Sequence, residues 1–338
     1  MSFSAMRVAV VIPCYNEETA IATVVRDFIA VLPNADIVVF DNNSSDRTTE
    51  VALAAGARVV SVGLQGKGNV VRRMFADVEA DVYLMVDGDA TYDAKAAPKL
   101  IDLLVTRGLD MVVGSRVSDE QEAYRLGHRL GNVMLTRCAS TIFGRSFEDM
   151  LSGYRVFSRR YAKTFPADSK GFEIETELAV HALGMRMPVA EVPTAYGSRM
   201  EGSHSKLNTY RDGFRILRTI FRLFKTEKPF IFFTSAFAIC AVISIALALP
   251  LLATYLETGL VPRLPTALLS VATMILGVIF FTCGIMLDVV THGREEVKRL
   301  AYLSIPAPRS LSKRDVAKVV GDADDLSDAA QPHDTTSL

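Results

Sequence analysis

The sequence predicts an α/β domain built on an open, mostly parallel sheet, followed by an amphipathic interfacial helix and two transmembrane helices. Three observations carry that prediction. From Arg7 to about Val192, short β-branched runs alternate with amphipathic helical stretches, the pattern of a sheet with helices on both faces. Beyond Thr209 a basic stretch carries apolar residues at helical spacing. Pro229–Leu256 and Leu264–Leu287 then contain no charged residue, and each exceeds the roughly 20 apolar residues that cross a bilayer.

Taken in order, the strands are expected at Arg7–Ile12, Asp36–Phe40, Ala57–Val62, Asp81–Val86 and Leu109–Gly114. A helix over Glu17–Leu32 follows Asn16 as a candidate N-cap, and Ser44 or Ser45 can cap a second helix that stops at Gly56. Residues 1–208 form the expected catalytic-type domain, and 209–228 the juxtamembrane helix. In the latter, Phe214, Leu217, Phe221 and Phe224 make one stripe, and Arg215, Arg218, Arg222 and Lys225 a second. Such a helix suits an anionic membrane surface, although packing on its own domain explains the same pattern. Residues 229–288 hold the two spans, at about 230–254 and 264–287, with Pro250 late in the first. Basic residues before the first span and at Arg294, Lys298 and Arg299 after the second place both ends in the cytosol by the positive-inside rule. The segment 289–338 ends in a polar tail expected to be disordered.

Half of the 338 residues are hydrophobic, and 37 Lys and Arg against 38 Asp and Glu leave a net charge of -1. No basic field of the kind that attracts nucleic acid is present. The four cysteines form no C-x-x-C pair, so neither a disulfide framework nor a cysteine-based zinc site is expected, and a reducing compartment fits. The first apolar run, Val8–Ile12, is too short for a secretory signal.

Ligands of open parallel sheets bind beyond the carboxyl ends of the strands. There the sequence places Pro13-Cys14-Tyr15-Asn16-Glu17, Asp41-Asn42-Asn43-Ser44-Ser45-Asp46, Asp87-Gly88-Asp89 and Gly114-Ser115-Arg116. Asp87 and Asp89 can aim two hard carboxylate oxygens at one Mg2+ or Mn2+, while Gly88 permits close approach. D-x-D alone is a weak signal, and its place at the end of a buried strand gives it weight. Such a cation can bridge the phosphates of a nucleotide sugar and stabilise the leaving diphosphate.

In these motifs, together with Asp149-x-x-Ser152-Gly153-Tyr154-Arg155, the chain resembles family 2 glycosyltransferases of the polyprenyl-phosphate or dolichyl-phosphate branch. The resemblance covers about Met6–Lys228, and the two spans match bacterial membrane-anchored members. It implies a GT-A, Rossmann-like fold and transfer with inversion, in the bacterial inner membrane. By resemblance Pro13, Tyr15, Asn16, Glu17 and Asp41 hold the nucleoside, Asp87, Gly88 and Asp89 address metal and diphosphate, and Asp149, Ser152 and Arg155 contact sugar or acceptor. Where the family often has Gln as a further metal contact, this chain has Thr91. Lys67, in Gly66-Lys67-Gly68, suits either a phosphate contact or a plain helix-start turn.

The expected acceptor is an undecaprenyl or dolichyl phosphate. A phosphate monoester is anionic near neutral pH, with a second pKa of about 6, so its oxygen attacks without a protein base. Positioning by Arg is what it requires. Arg116 is the first candidate, then Arg125, Arg129, Arg199 and Lys206, each of the others also readable as a solvated charge. Glu173 and Glu177 fit favourable charges at a helix start as well as a sugar contact. Transfer to a hydroxyl, with Asp149 as base, is the alternative; a nucleotidyltransferase and a non-catalytic binding module follow. The chain has no Trp, which argues against a processive synthase. The resemblance also leaves room for a homo-oligomer built through the spans.

Overall fold

The computed structural model describes residues 6–117, 147–199 and 209–308. Its first half runs β1 (Val8–Cys14), α1 (Ile21–Val31), β2 (Asp36–Asp41), α2 (Thr48–Ala54), β3 (Arg58–Ser61), α3 (Lys67–Asp77), β4 (Val82–Met85), α4 (Ala97–Thr106) and β5 (Met111–Val117). The five strands expected from sequence are all present. Four further elements complete the domain: β6 (Arg155–Ser158) leads into α5 (Arg159–Thr164), and α6 (Ile174–Gly184) into β7 (Val189–Ala195).

Among the described residues the strands make one seven-stranded sheet in the order β3-β2-β1-β4-β6-β5-β7. Only β6 runs antiparallel to its neighbours, pairing Met85 with Arg155 on one side and Val113 with Arg155 on the other. Strand order reverses between β1 and β4, which opens a crevice beyond their carboxyl ends. Side chains alternate across the sheet as the pleat dictates. Val10, Ile12, Val39, Leu84 and Val112 pack with α1 and α4, whereas Val11, Val38, Met85 and Val113 pack with α3 and α6. Both faces are therefore buried, which explains why the strands read as nearly continuous apolar runs.

Two local expectations change. Helix α1 starts at Ile21, and Asn16 does not cap it; Asn16 adopts φ 53° and its backbone N–H donates to Ser44 Oγ at 2.9 Å. Asn tolerates that left-handed backbone better than most residues. Helix α2 starts at Thr48, and Asp46 supplies the carboxylate for the Thr48 N–H at 3.0 Å in place of Ser44 or Ser45.

The C-terminal helices are α7 (Thr209–Glu227), α8 (Pro229–Thr258) and α9 (Leu264–Leu303). Helix α7 turns Ile216, Ile220 and Leu223 into the domain and leaves Phe214, Leu217 and Phe221 exposed. Arg218, Arg222 and Lys225 occupy the remaining face. Helices α8 and α9 form an apolar hairpin with most of its surface uncovered, long enough to cross a membrane twice. Small residues seal it: an added Cβ at Gly277 would sit 3.0 Å from Cys240 Cβ, and one at Gly284 3.0 Å from Phe233 Cβ. Ser244 and Ser270 donate to each other's carbonyl at 2.8 and 2.9 Å. Gly259 ends α8 in the left-handed region, φ 67°.

His181 on α6 is buried beside the rings of Tyr161 and Phe165. Burial, with the Lys298 ammonium adding to it, pushes its pKa down to about 3. An unfolded imidazole titrates near 6.5. Above that pH the ring is neutral in both states and adds no pH dependence. Below it the unfolded chain alone takes the proton, so stability falls by about 1.4 kcal/mol per pH unit until the folded ring titrates. Thermal melts at pH 7 and 5 should show a smaller drop in His181→Gln than in the unsubstituted protein; equal drops would contradict this account.

Candidate active site

The loops beyond β1 and β2 are stitched to each other. Asn16 Oδ1 accepts the Ser45 N–H at 2.8 Å, the Glu17 N–H donates to Thr48 Oγ1 at 2.8 Å, and the Glu18 N–H donates to Asp46 Oδ2 at 3.2 Å. Pro13, Tyr15, Glu17 and Asp41 thereby share one wall of the crevice, with Glu17 and Asp41 buried. Asn42 extends the wall to the next loop: its amide donates to Val62 O at 3.2 Å and Leu64 O at 2.8 Å, while its carbonyl accepts from the Gly66 N–H at 2.6 Å. Gly66 has φ 125°, and a Cβ there would lie 2.2 Å from Lys170 O. Only glycine lets this loop approach so closely.

That packing delivers Lys67 to the end of β4. Its ammonium donates to Asp87 Oδ1 at 2.5 Å and Glu175 Oε1 at 2.6 Å, with the lysine and glutamate side chains each 7% exposed. Burial alone would disfavour the charged lysine, but the two carboxylates outweigh it and raise its pKa. One ammonium cannot neutralise both acids, and burial, with the Asp87 charge, pushes Glu175 up despite the lysine.

Asp89 is buried and paired with Arg199 at 2.8 Å. Burial first, and then the Asp87 charge, raises its pKa. Ala90 beside it takes φ 59°, a costly backbone for alanine of the kind that concentrates at functional turns. Thr91 Oγ1 donates to Asp89 Oδ1 at 2.6 Å. Thr91, the expected further metal contact, thus stands beside Asp89 and orients its carboxylate.

Across the crevice Arg116 grips Asp149 with both prongs, Nε to Oδ2 at 2.6 Å and Nη2 to Oδ1 at 2.8 Å, and lies 5.6 Å from the Tyr196 ring centre. Glu191 accepts the N–H groups of Glu148 and Asp149 at 2.8 and 3.2 Å. Ser152 and Arg155 need correction as sugar or acceptor contacts. Both are fully buried; Ser152 Oγ donates to Gly114 O at 2.6 Å, and Arg155 donates to Ser152 O at 2.9 Å and to Met150 O. They shape the loop that presents Asp149. Arg125, Arg129 and Lys206 lie outside the described residues.

Glu175, Tyr92 and Glu191 were not singled out by sequence. Tyr92 Oη accepts the Gly153 N–H at 2.9 Å and so ties the Asp149 loop to the turn after Asp89. Glu175 and Lys67 are 108 positions apart, a separation that leaves no spacing signal. Among the described residues no group of three or more His, Cys, Asp and Glu gathers in a metal-holding arrangement.

The mostly parallel sheet, the crevice at its strand-order reversal, and the paired aspartates with the cations facing them make the arrangement of a GT-A glycosyltransferase. The chain belongs to glycosyl transferase family 2, whose family model matches residues 9–165. The glycosyltransferase AglJ of Haloferax volcanii is 36% identical over 299 residues, 88% of this chain and 98% of that one. A dolichyl-phosphate hexose transferase of the same organism is 31% identical over 221 residues, 65% of this chain and 95% of that one. In fold, the chain matches glucosyl-3-phosphoglycerate synthase from Mycobacterium tuberculosis, solved with Mn2+, UDP-glucose and phosphoglyceric acid. The TM-score is 0.53 at 23% identity, over 66% of this chain and 80% of that one.

Two substitutions test the site. Lys67→Ala leaves Asp87 and Glu175 facing each other without their shared cation, and should lower stability by about 3 kcal/mol in chemical denaturation. Gly153→Ala places a Cβ 2.2 Å from Asp87 Oδ2. It should displace that carboxylate and reduce turnover at least roughly tenfold while the protein stays folded; unchanged turnover would remove Asp87 from the site.

Proposed function

We propose that the protein transfers a single hexose-type sugar from a nucleoside diphosphate sugar to a polyprenyl phosphate, with inversion, at the cytosolic face of the plasma membrane. The supporting observation is that one chain joins a rim of paired carboxylates and cations to an amphipathic helix and an apolar hairpin long enough to cross a membrane twice. The acceptor headgroup and such a rim can then meet at one depth. Basic residues flank both spans at Arg218, Arg222, Lys225, Arg294 and Lys298, which favours a cytosolic domain and cytosolic ends.

In this reading the wall of Pro13, Tyr15, Asn16, Glu17 and Asp41 receives the nucleoside. Asp87 and Asp89 suit Mg2+ or Mn2+, because hard cations of this kind take one or two carboxylates and complete their shell with phosphate oxygens and water. Both carboxylates already attract cations, Lys67 and Arg199, and Thr91 fixes one oxygen of Asp89. The metal would supply charge stabilisation for the departing diphosphate. Lys67 reaches the same phosphates from the first turn of α3. Arg116 and Arg199 hold the acceptor phosphate, whose oxygen forms the new bond at the anomeric carbon as the bond to the diphosphate breaks. No proton has to be removed by the protein, since the attacking monoester is already ionised. A hydroxyl acceptor would need Asp149 as base, and the two-pronged grip of Arg116 on both its oxygens counts against that role.

Purified full-length protein should be assayed with a panel of nucleotide sugars, Mg2+ or Mn2+, and polyprenyl phosphate, following lipid mass and released nucleotide together. The lipid should gain one sugar in step with nucleoside diphosphate. Release of nucleoside monophosphate would mean that sugar phosphate is moved, and the proposal would be wrong. Asp89→Asn should cut turnover at least roughly 100-fold, about 2.7 kcal/mol of barrier, with little change in melting temperature; full activity would refute the metal assignment.

A further inference from the structure

Helix α9 is 40 residues long, which at ~1.5 Å per residue is about 60 Å, twice the hydrocarbon thickness of a bilayer. Its apolar part ends at Leu287, and the helix continues unbroken from Asp288 to Leu303. That extension runs back along the domain. Thr291 Oγ1 donates to Thr226 O of α7 at 3.2 Å, and Arg294 and Lys298 pair with Glu227 at 3.3 and 3.8 Å. In the last turn Tyr302 Oη donates to Asp110 Oδ2 at 2.7 Å, and the Arg160 guanidinium lies over the Tyr302 ring at 4.5 Å from its centre.

Asp110 is where the membrane helix meets the sheet. Its side chain is fully buried and also accepts from Ser158 Oγ at 2.7 Å and Arg160 Nη2 at 3.0 Å. Its own N–H donates to Pro188 O at 2.9 Å, and its carbonyl accepts the Ser158 N–H at 3.0 Å. Asp110 thus joins the start of β5 to β6 and to the start of β7. From there β5 runs straight to Arg116, about 20 Å away at ~3.3 Å per residue, held on both edges by β6 and β7. A displacement at Tyr302 is therefore carried by a stiff strand to the arginine on the rim.

We propose that Tyr302 is a positioning residue: with Asp110 and Arg160 it latches the second spanning helix to the amino end of β5, fixing the height and tilt of the Arg116 rim over the membrane. Tyr302 touches no substrate. The surface ion pairs at Glu227 alone would make a weak tether. The buried Asp110 bond and the stacked arginine provide the fixed point. The inference rests on the reading that the acceptor phosphate stands at the membrane surface.

The test compares Tyr302→Phe and Tyr302→Ala with the unsubstituted protein in liposomes, using long-chain polyprenyl phosphate in the bilayer and a short, water-soluble prenyl phosphate. Asp110 keeps Arg160 and Ser158 in both variants, so the domain should fold. With the soluble acceptor, kcat/KM should stay within about twofold; with the bilayer acceptor it should fall about tenfold in Tyr302→Ala and less in Tyr302→Phe. Equal losses on both acceptors would mean a merely structural role, and no loss on either would dismiss the latch. Hydrogen exchange at Arg294–Leu303 gives a readout independent of activity. It should quicken in Tyr302→Ala, and unchanged exchange would overturn the latch. If the unsubstituted protein uses neither acceptor while exchange responds as expected, the proposed reaction fails and the latch stands.

Discussion

Two carboxylates at the end of β4, largely withdrawn from water and one residue apart, set the terms for the rest of the site. Asp87 and Asp89 repel each other, and burial penalises the charge of Asp89 further, so each must face a cation. The cations come from distant parts of the chain: Lys67 from the start of α3 and Arg199 from beyond β7. Reaching them requires the close approach at Gly66 and the Asn42 bridge on one side, and the Tyr196 and Thr91 turn on the other. The loops at the carboxyl ends are in this sense assembled around a charge that the central strand carries. The sheet brings that strand to the reversal point, where neighbouring loops diverge and leave room for a ligand.

How much of this was legible in the sequence follows from what each feature depends on. The parallel strands β1 to β5 announce themselves because burial on both faces demands continuous apolar runs, and the polar groups that end them mark the rim. Strand β6 does not. It is four residues long and enters antiparallel between β4 and β5, a place in the sheet that no local pattern encodes. Strand β7 carries Pro193, which argues against a central strand and is tolerated at the edge where β7 lies. Arg155 stands in a recognisable motif, yet its burial between β4 and β5 turns it from a ligand contact into a support. Glu175 belongs to no motif, and only the tertiary fold reveals that it faces Lys67.

Membrane and site are linked through secondary structure with few free joints. Helix α7 presents one apolar face to the domain and another outward, so it is held from one side while leaving Phe214, Leu217 and Phe221 for an apolar surrounding. Helix α8 begins two residues after α7 ends. Helix α9 returns along α7 and reaches the sheet at Asp110. The hairpin is thus attached to the domain at both of its ends, through α7 at the start and Asp110 at the finish. For a hairpin set in a bilayer, as proposed, a single flexible tether would let the domain tumble, whereas two attachments would restrict its height.

The pairing of every cation named in the crevice also bears on how a charged ligand would enter. A bare cluster of Arg and Lys would bind phosphate avidly but would repel the metal proposed to accompany the nucleotide sugar. A bare cluster of Asp and Glu would do the reverse. In the proposed reaction the rim would instead exchange partners: Asp87 and Asp89 would hold the metal, and Lys67 and Arg199 would be left to meet phosphate. Arg116 differs from the other two, because Asp149 holds its guanidinium in a planar two-pronged geometry and Glu191 holds the loop bearing Asp149. A fork oriented beforehand loses less conformational freedom when it meets a phosphate. That preorganisation, and not the count of positive charges, is the physical reason to place the acceptor phosphate against Arg116.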